Sequence, residues 1–143
     1  LWVTRAKAGE QQIGLYASSG AYYPLLDPVW FFPVSDTCYW APLCGLWYSS
    51  GGKSGEEPSG EIKQLLNIYD QAVLAVGEKE RTLLIKRALD IYSKNLWTIG
   101  VVAPNTRLVI VKNELRNVPE VTIHENINNC PGHTNPEQWF FKK

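Results

Sequence analysis

Methionine is absent from the 143 residues, histidine occurs twice, and Lys plus Arg balance Asp plus Glu at 14 each. Each scarcity closes off a class of function. A chain with no net charge has no overall field to draw nucleic acid or an anionic membrane surface. No apolar run approaches the roughly 20 residues of a membrane helix. Nor is a charged n-region followed by an apolar h-region present, so these residues are not expected to hold a signal peptide. The chain opens on Leu1 rather than Met and reads as a processed or excised piece. Two histidines leave little material for a Ser–His or Cys–His pair. No Gly-x-Ser-x-Gly elbow surrounds any serine, and an enzyme is not expected.

Three cysteines, Cys38, Cys44 and Cys130, are an odd number, so at least one thiol is unpaired within the chain. Cys38 and Cys44 are near enough to bridge across a loop in an oxidising compartment. Cys130 and His133 resemble half of a zinc site that Cys38 and Cys44 would complete. The interval between Cys38 and Cys44 is wider than the usual two to four residues, so no metal or other cofactor is expected. Buried thiols or a single disulfide fit these residues better.

What is abundant is aromatic: six Trp and seven Tyr. Between Tyr22 and Trp47 the prolines 24, 28, 33 and 42 interrupt any long helix or central strand. The same stretch carries Tyr22, Tyr23, Trp30, Phe31, Phe32, Tyr39 and Trp40. So much aromatic surface would aggregate on a floppy linker, so the segment is expected to be a packed or functional loop. Upstream, Gln11 to Ser18 alternates around Ile13, Leu15 and Ala17 and predicts a short strand.

Ser49 to Gly60 reads as an exposed Gly- and Ser-rich loop. Its Gly52-Lys53-Ser54 resembles the end of a phosphate loop, but Trp47 stands where the first glycine belongs and Gly45 lies too far back. Glu56 and Glu57 are adjacent, whereas a glycosidase needs two carboxylates facing each other across a sugar ring. Ser59 is placed as an N-cap, with Glu61 near the helix N-terminus. Ile62, Leu65, Leu66, Tyr69, Ala72, Val73 and Val76 follow helical spacing to Gly77. A second helix is predicted from about Lys79 to Asn95, with Leu84, Ile85, Ala88, Leu89 and Tyr92 as its stripe. Leu96–Val102 and Arg107–Lys112 predict a hairpin through Ala103-Pro104-Asn105-Thr106. Asn126 to Pro136 is polar and turn-rich, and Trp139-Phe140-Phe141 is read as an apolar anchor. The element order predicts an α/β fold: two helices, short strands and a long irregular aromatic-rich loop. Residues 1–143 are taken as one domain, with 1–58 the strand and aromatic loop and 59–143 the helical pair, hairpin and tail.

Aromatic surface without catalytic partners points to binding, because flat rings stack on sugar faces or line a peptide cleft. Tyr16, Trp30, Trp40, Trp47 and Tyr48 are the candidate ligand-binding residues. No basic residues interleave with them, which argues against nucleic acid.

Several runs carry a resemblance. Glu80-Arg81-Thr82-Leu83-Leu84, Asn95 to Val102 and Val111 to Pro119 are similar to the end of family 5 extracellular solute-binding proteins, the peptide and oligosaccharide receptors of bacterial ABC importers. Trp47-Tyr48 through Gly51 to Pro58, Asn135 to Phe140, and Asp27-Pro28 followed by aromatics resemble the same family. The resemblance spans the chain from about Ala8 and matches only the family's C-terminal part. It implies a fragment of the C-terminal lobe of a two-lobed, class II-like periplasmic-binding-protein fold. It further implies a non-catalytic, periplasmic or extracellular ligand-capture protein, compatible with a lipoprotein anchor, that hands its solute to membrane permease subunits. Peptide receptors of the family end the strand equivalent to Gln11–Ser18 with Trp-x-x-Asp. Here Tyr16-Ala17-Ser18-Ser19 has no acid, and an ammonium buried without a counter-ion is costly. Oligosaccharide is therefore the expected ligand. A peptide ligand and a stand-alone carbohydrate-binding module are the alternatives.

Overall fold

The computed structural model describes residues 1–16, 23–101, 108–122 and 132–142. Regular structure among the described residues is mostly helical, with four α-helices and a two-stranded sheet. The chain divides into two compact units, Leu1–Ser18 with Tyr23–Ile99, and Ser19–Tyr22 with Gly100–Lys143.

The first unit is built on a helical hairpin. Helix α3 spans Gly60–Leu74 and α4 spans Glu78–Asn95. Their facing stripes bury Leu65, Ile68, Ala72 and Ala75 against Leu84, Ile85 and Ala88, with Phe32 entering from the preceding loop. Leu65 is 0 % exposed and Phe32 1 %. Each such side chain stabilises the fold by about 1.5–3 kcal/mol relative to an exposed one. Ala72 and Ala88 let the helices approach closely. The expected stripe of α3 needs adjustment. Ile68 is buried; Val73, one residue past the buried Ala72, turns outward at 54 % exposed, and Val76, beyond the helix end at Leu74, is 95 % exposed. The turn is capped from across it, the Arg81 guanidinium donating to the Ala75 carbonyl at 2.7 Å. Gly77 opens α4 as its N-cap residue. Ser59 does occupy the N-cap position of α3 in extended conformation, but its hydroxyl makes no capping bond.

Two helices lie within 1–58, where only a strand and an irregular aromatic loop were expected. Helix α1, Trp2–Lys7, precedes the aromatic segment, and α2, Pro42–Ser49, ends it. Pro42 sits in the first turn of α2, where a missing N–H costs nothing and the fixed φ favours the helix. Gly45 is buried against the Ser35 backbone; a Cβ there would lie 2.0 Å from the Ser35 carbonyl oxygen. Asp36, in the same stretch, accepts from the Lys7 ammonium at 2.8 Å. Helices α1 and α2 are thus both fastened to residues 35–36. The strand expected at Gln11–Ser18 is not formed over its described part. Residues 11–16 are bends and coil, and Ile13 is 95 % exposed. Among the described residues no strand edge adjoins them, and an alternating pattern needs a partner ladder to become sheet.

The hairpin expected over Leu96–Val102 and Arg107–Lys112 is likewise not formed in its described residues; its turn lies outside them. Leu96 instead closes α4 in a left-handed conformation, φ 52°. In the second unit the sheet pairs β1, Leu115–Arg116, with β2, Phe140–Phe141, antiparallel, Leu115 opposite Phe141 and Arg116 opposite Phe140. Lys142 extends it, its N–H donating to the Glu114 carbonyl at 2.8 Å. Phe140 and Phe141 are 57 % and 63 % exposed, so the expected apolar anchor is an exposed edge strand. Trp139 is better placed, its indole N–H reaching the Thr134 carbonyl at 3.2 Å. Among the described residues no helix is long and apolar enough to cross a membrane.

Candidate ring-stacking site

The five expected binding residues fall into three groups within the first unit. Trp47 and Tyr48 lie on α2. The Tyr48 ring meets Tyr69 edge-on at 6.2 Å, and its hydroxyl donates to the Asp70 carboxylate at 2.5 Å. Trp47 lies over Gly52. Both side chains bind α2 to its surroundings.

Trp40 belongs to a second group. Its indole stacks on Trp97 at 4.8 Å and meets Tyr92 edge-on at 5.5 Å, beside the helical core. Its Nε1 is buried without a hydrogen-bond partner among the described residues. The Tyr92 hydroxyl shares a 2.6 Å hydrogen bond with Thr98 and lies 3.3 Å from the Trp30 carbonyl. Burial raises its pKa, opposed by the Thr98 bond.

Tyr16 and Trp30 come together, with two residues not anticipated as binding groups, Trp2 and Tyr39. Tyr16 stacks on Trp2 with ring centroids 5.1 Å apart and planes 7° from parallel, and on Trp30 at 5.8 Å and 22°. Tyr39 stands edge-on to Trp2 at 5.0 Å and to Tyr16 at 5.2 Å. Local sequence explains each placement. Pro28 begins a 3-10 turn, Pro28–Trp30, and the Trp30 indole N–H donates to the Asp27 carboxylate at 2.7 Å, fixing that ring. Trp2 is held by α1, whose buried Ala6 docks one helical turn on. Beside the stack opens a recess of about 500 Å³, lined by Trp2, Arg5, Glu10 and residues 11–15. Arg5 and Glu10 are paired at 3.4 Å, and Gln11 reaches the Trp2 carbonyl at 3.4 Å. Flat ring faces thus adjoin a polar rim of guanidinium, carboxylate and amides. The signal for Trp2 in the sequence was only a helix-length interval to Ala6 and the basic pair Arg5 and Lys7.

The glycine-rich loop offers no anion cradle. The N–H groups of Lys53 and Ser54 both turn inward to the Ser50 hydroxyl oxygen, at 3.1 and 2.9 Å. Those of Ser50, Gly51, Gly52 and Glu56 go to carbonyls of Leu46, Tyr48, Trp47 and Leu43. Glu57 is paired with Lys63 at 3.0 Å. Cys38 and Cys44 are free thiols. Cys38 is fully buried, and that burial pushes its pKa up to about 12. Cys44 is also raised, by partial burial and then by Glu56. Cys130 lies outside the described residues, and among those described no three His, Cys, Asp or Glu side chains gather as a metal site. His133, in the second unit, shares a 2.5 Å hydrogen bond with Thr122.

No protein-family model and no curated protein matches this chain.

Proposed function

We propose that this chain is the C-terminal part of the solute-binding receptor of an ABC importer, acting outside the cytoplasmic membrane, and that the solute is an oligosaccharide. The observation that carries the reading is the stack at Trp2, Tyr16 and Trp30 beside a recess with a polar rim. Pyranose rings present an apolar face that packs on an aromatic ring and equatorial hydroxyls that need donors and acceptors at its edge. Acidic groups near the stack are already engaged, Asp27 with Trp30 and Glu10 with Arg5. That disfavours a peptide, whose ammonium would need a carboxylate of its own. The motif resemblance supports the receptor class and, with it, a two-lobed fold of which this chain supplies part of one lobe. Strongly exposed apolar residues, including Leu15 at 84 % and Val76 at 95 %, are compatible with a larger protein that covers them. Ligand closure would need both lobes, so the chain alone is expected to bind weakly. Permease subunits are the partners this function requires.

The test is tryptophan fluorescence of the full-length gene product titrated with cellotriose and with trialanine. A saturable shift with the sugar and none with the peptide is expected. A response to trialanine alone overturns the sugar reading in favour of a peptide receptor, and no response to either overturns both.

A further inference from the structure

The ring at the centre of the stack belongs to a segment with few ties among the described residues. Residues 11–16 form neither helix nor strand, and Tyr16 is 53 % exposed although it touches three aromatic rings. Among the described residues no hydrogen bond reaches residues 12–16, and the one bond from Gln11 is long at 3.4 Å. Its neighbours Ile13 and Leu15 are almost wholly in solvent. The two indoles differ in kind. Trp2 is held by a helix, and Trp30 by a proline-initiated turn and a charge-assisted hydrogen bond. Fixed walls and a loosely tied occupant are arranged as in a binding site that holds a stand-in.

Resting on the sugar-binding reading above, we infer that the Tyr16 phenol ring is a displaceable occupant of the place where Trp2 and Trp30 each offer a face, and that a pyranose ring binds there by replacing it. A phenol ring is flat and a pyranose chair is puckered, but both are six-membered with an apolar face and a polar edge, so one position suits either. Tyr39, edge-on, would close the side of the place in both states. Displacement would carry Tyr16 outward with residues 11–15, which line the recess and would widen it. The occupied state then lowers apparent sugar affinity by the fraction of molecules in which Tyr16 is out. It also keeps two large indoles covered when no ligand is present.

The experiment compares cellotriose binding by the full-length gene product with that of its Tyr16→Ala and Tyr16→Phe variants, using calorimetry. A second measurement, iodide quenching of tryptophan without ligand, reports whether the indoles are uncovered. Tyr16→Ala is expected to tighten binding by roughly threefold to tenfold and to raise quenching, because two ring stacks no longer compete. Tyr16→Phe retains the ring, so it should bind cellotriose more weakly than Tyr16→Ala and leave the indoles less open to quenching than that variant does. Equal or weaker binding by Tyr16→Ala, with the parent protein binding cellotriose normally, overturns displacement and leaves the sugar reading intact. Binding by Tyr16→Ala alone would be its strongest support. No binding by any of the three overturns the sugar reading, and the displacement proposal with it.

Discussion

The Tyr48 hydroxyl donates to the Asp70 carboxylate at 2.5 Å across 22 positions of sequence, joining α2 to α3 by side chains at the surface of the first unit. Partial burial first, then the Asp70 carboxylate, hold the phenol neutral to well above the ordinary tyrosine range. A raised folded pKa means that the unfolded chain releases this proton first. The stability contributed by Tyr48 is therefore complete below pH ~10, the ordinary tyrosine value, and is lost as pH rises beyond it. Urea midpoints measured from pH 8 to 11 should fall more steeply for the parent chain than for Tyr48→Phe. At pH 7 the same variant should cost only about 0.5 kcal/mol, because the hydrogen bond is exposed. Parallel pH profiles would contradict the assignment.

Backbone sign decides a second set. A Cβ on Gly55, φ +87°, would lie 2.2 Å from the Leu43 carbonyl oxygen and 2.6 Å from the Trp47 nitrogen. Gly45→Ala and Gly55→Ala should each cost about 2–4 kcal/mol in denaturant unfolding, whereas Gly51→Ala, with positive φ but open space, should cost about 1. Leu96 is the converse case, a leucine in the left-handed cap of α4 and 67 % exposed. Leu96→Gly should stabilise by up to about 1 kcal/mol.

Trp40 offers a third measurement. Its ring packs well, but its buried Nε1 donor is unsatisfied, a burden of about 1–3 kcal/mol. Trp40→Phe removes the donor and keeps a ring against Trp97 and Tyr92, so its net cost should stay within about 1 kcal/mol. Trp40→Ala should cost about 3 kcal/mol or more. Equal losses would mean that the indole nitrogen is satisfied in solution.

Thiol chemistry separates Cys38 from Cys44. With Cys130 replaced by serine, a disulfide reagent at pH 8 should modify Cys44 in the native chain, slowly because its thiol is held protonated. Cys38, fully buried, should react only as fast as the protein unfolds. Two equal rates would contradict this, and the absence of any reactive thiol would mean a Cys38–Cys44 bridge.

The helical pair was legible because both stripes repeat with helical spacing and bury one face, and Leu65, Leu84, Ile85 and Ala88 lie where that spacing puts them. Ile68 was missed although it lies three residues after Leu65 and four before Ala72, on the same buried face. Helix α2 escaped because Pro42 was read as a breaker, although a proline starts a helix as readily as it stops one. Period-two patterns at 11–16 and 96–101 failed for a different reason. Alternation states which face a strand would bury, but it cannot supply the neighbouring strand that makes it a strand. Of the expected binding residues, Tyr16 and Trp30 were found together, while Trp40, Trp47 and Tyr48 pack elsewhere. Composition marks a tryptophan as consequential; only tertiary packing says whether it holds structure or faces outward.

The hydroxyl of Ser50 gathers the amides of Lys53 and Ser54, and Gly55 slides beneath the Leu43 carbonyl. A run of glycine and serine is ordinarily slack, the place where a protein absorbs insertions without harm. This one is folded back on the helix it leaves, like a clasp with a set gauge. One residue more or fewer would unseat the clasp and swing the start of α3 away from α2, so evolution and engineering alike should find its length more constrained than its composition implies.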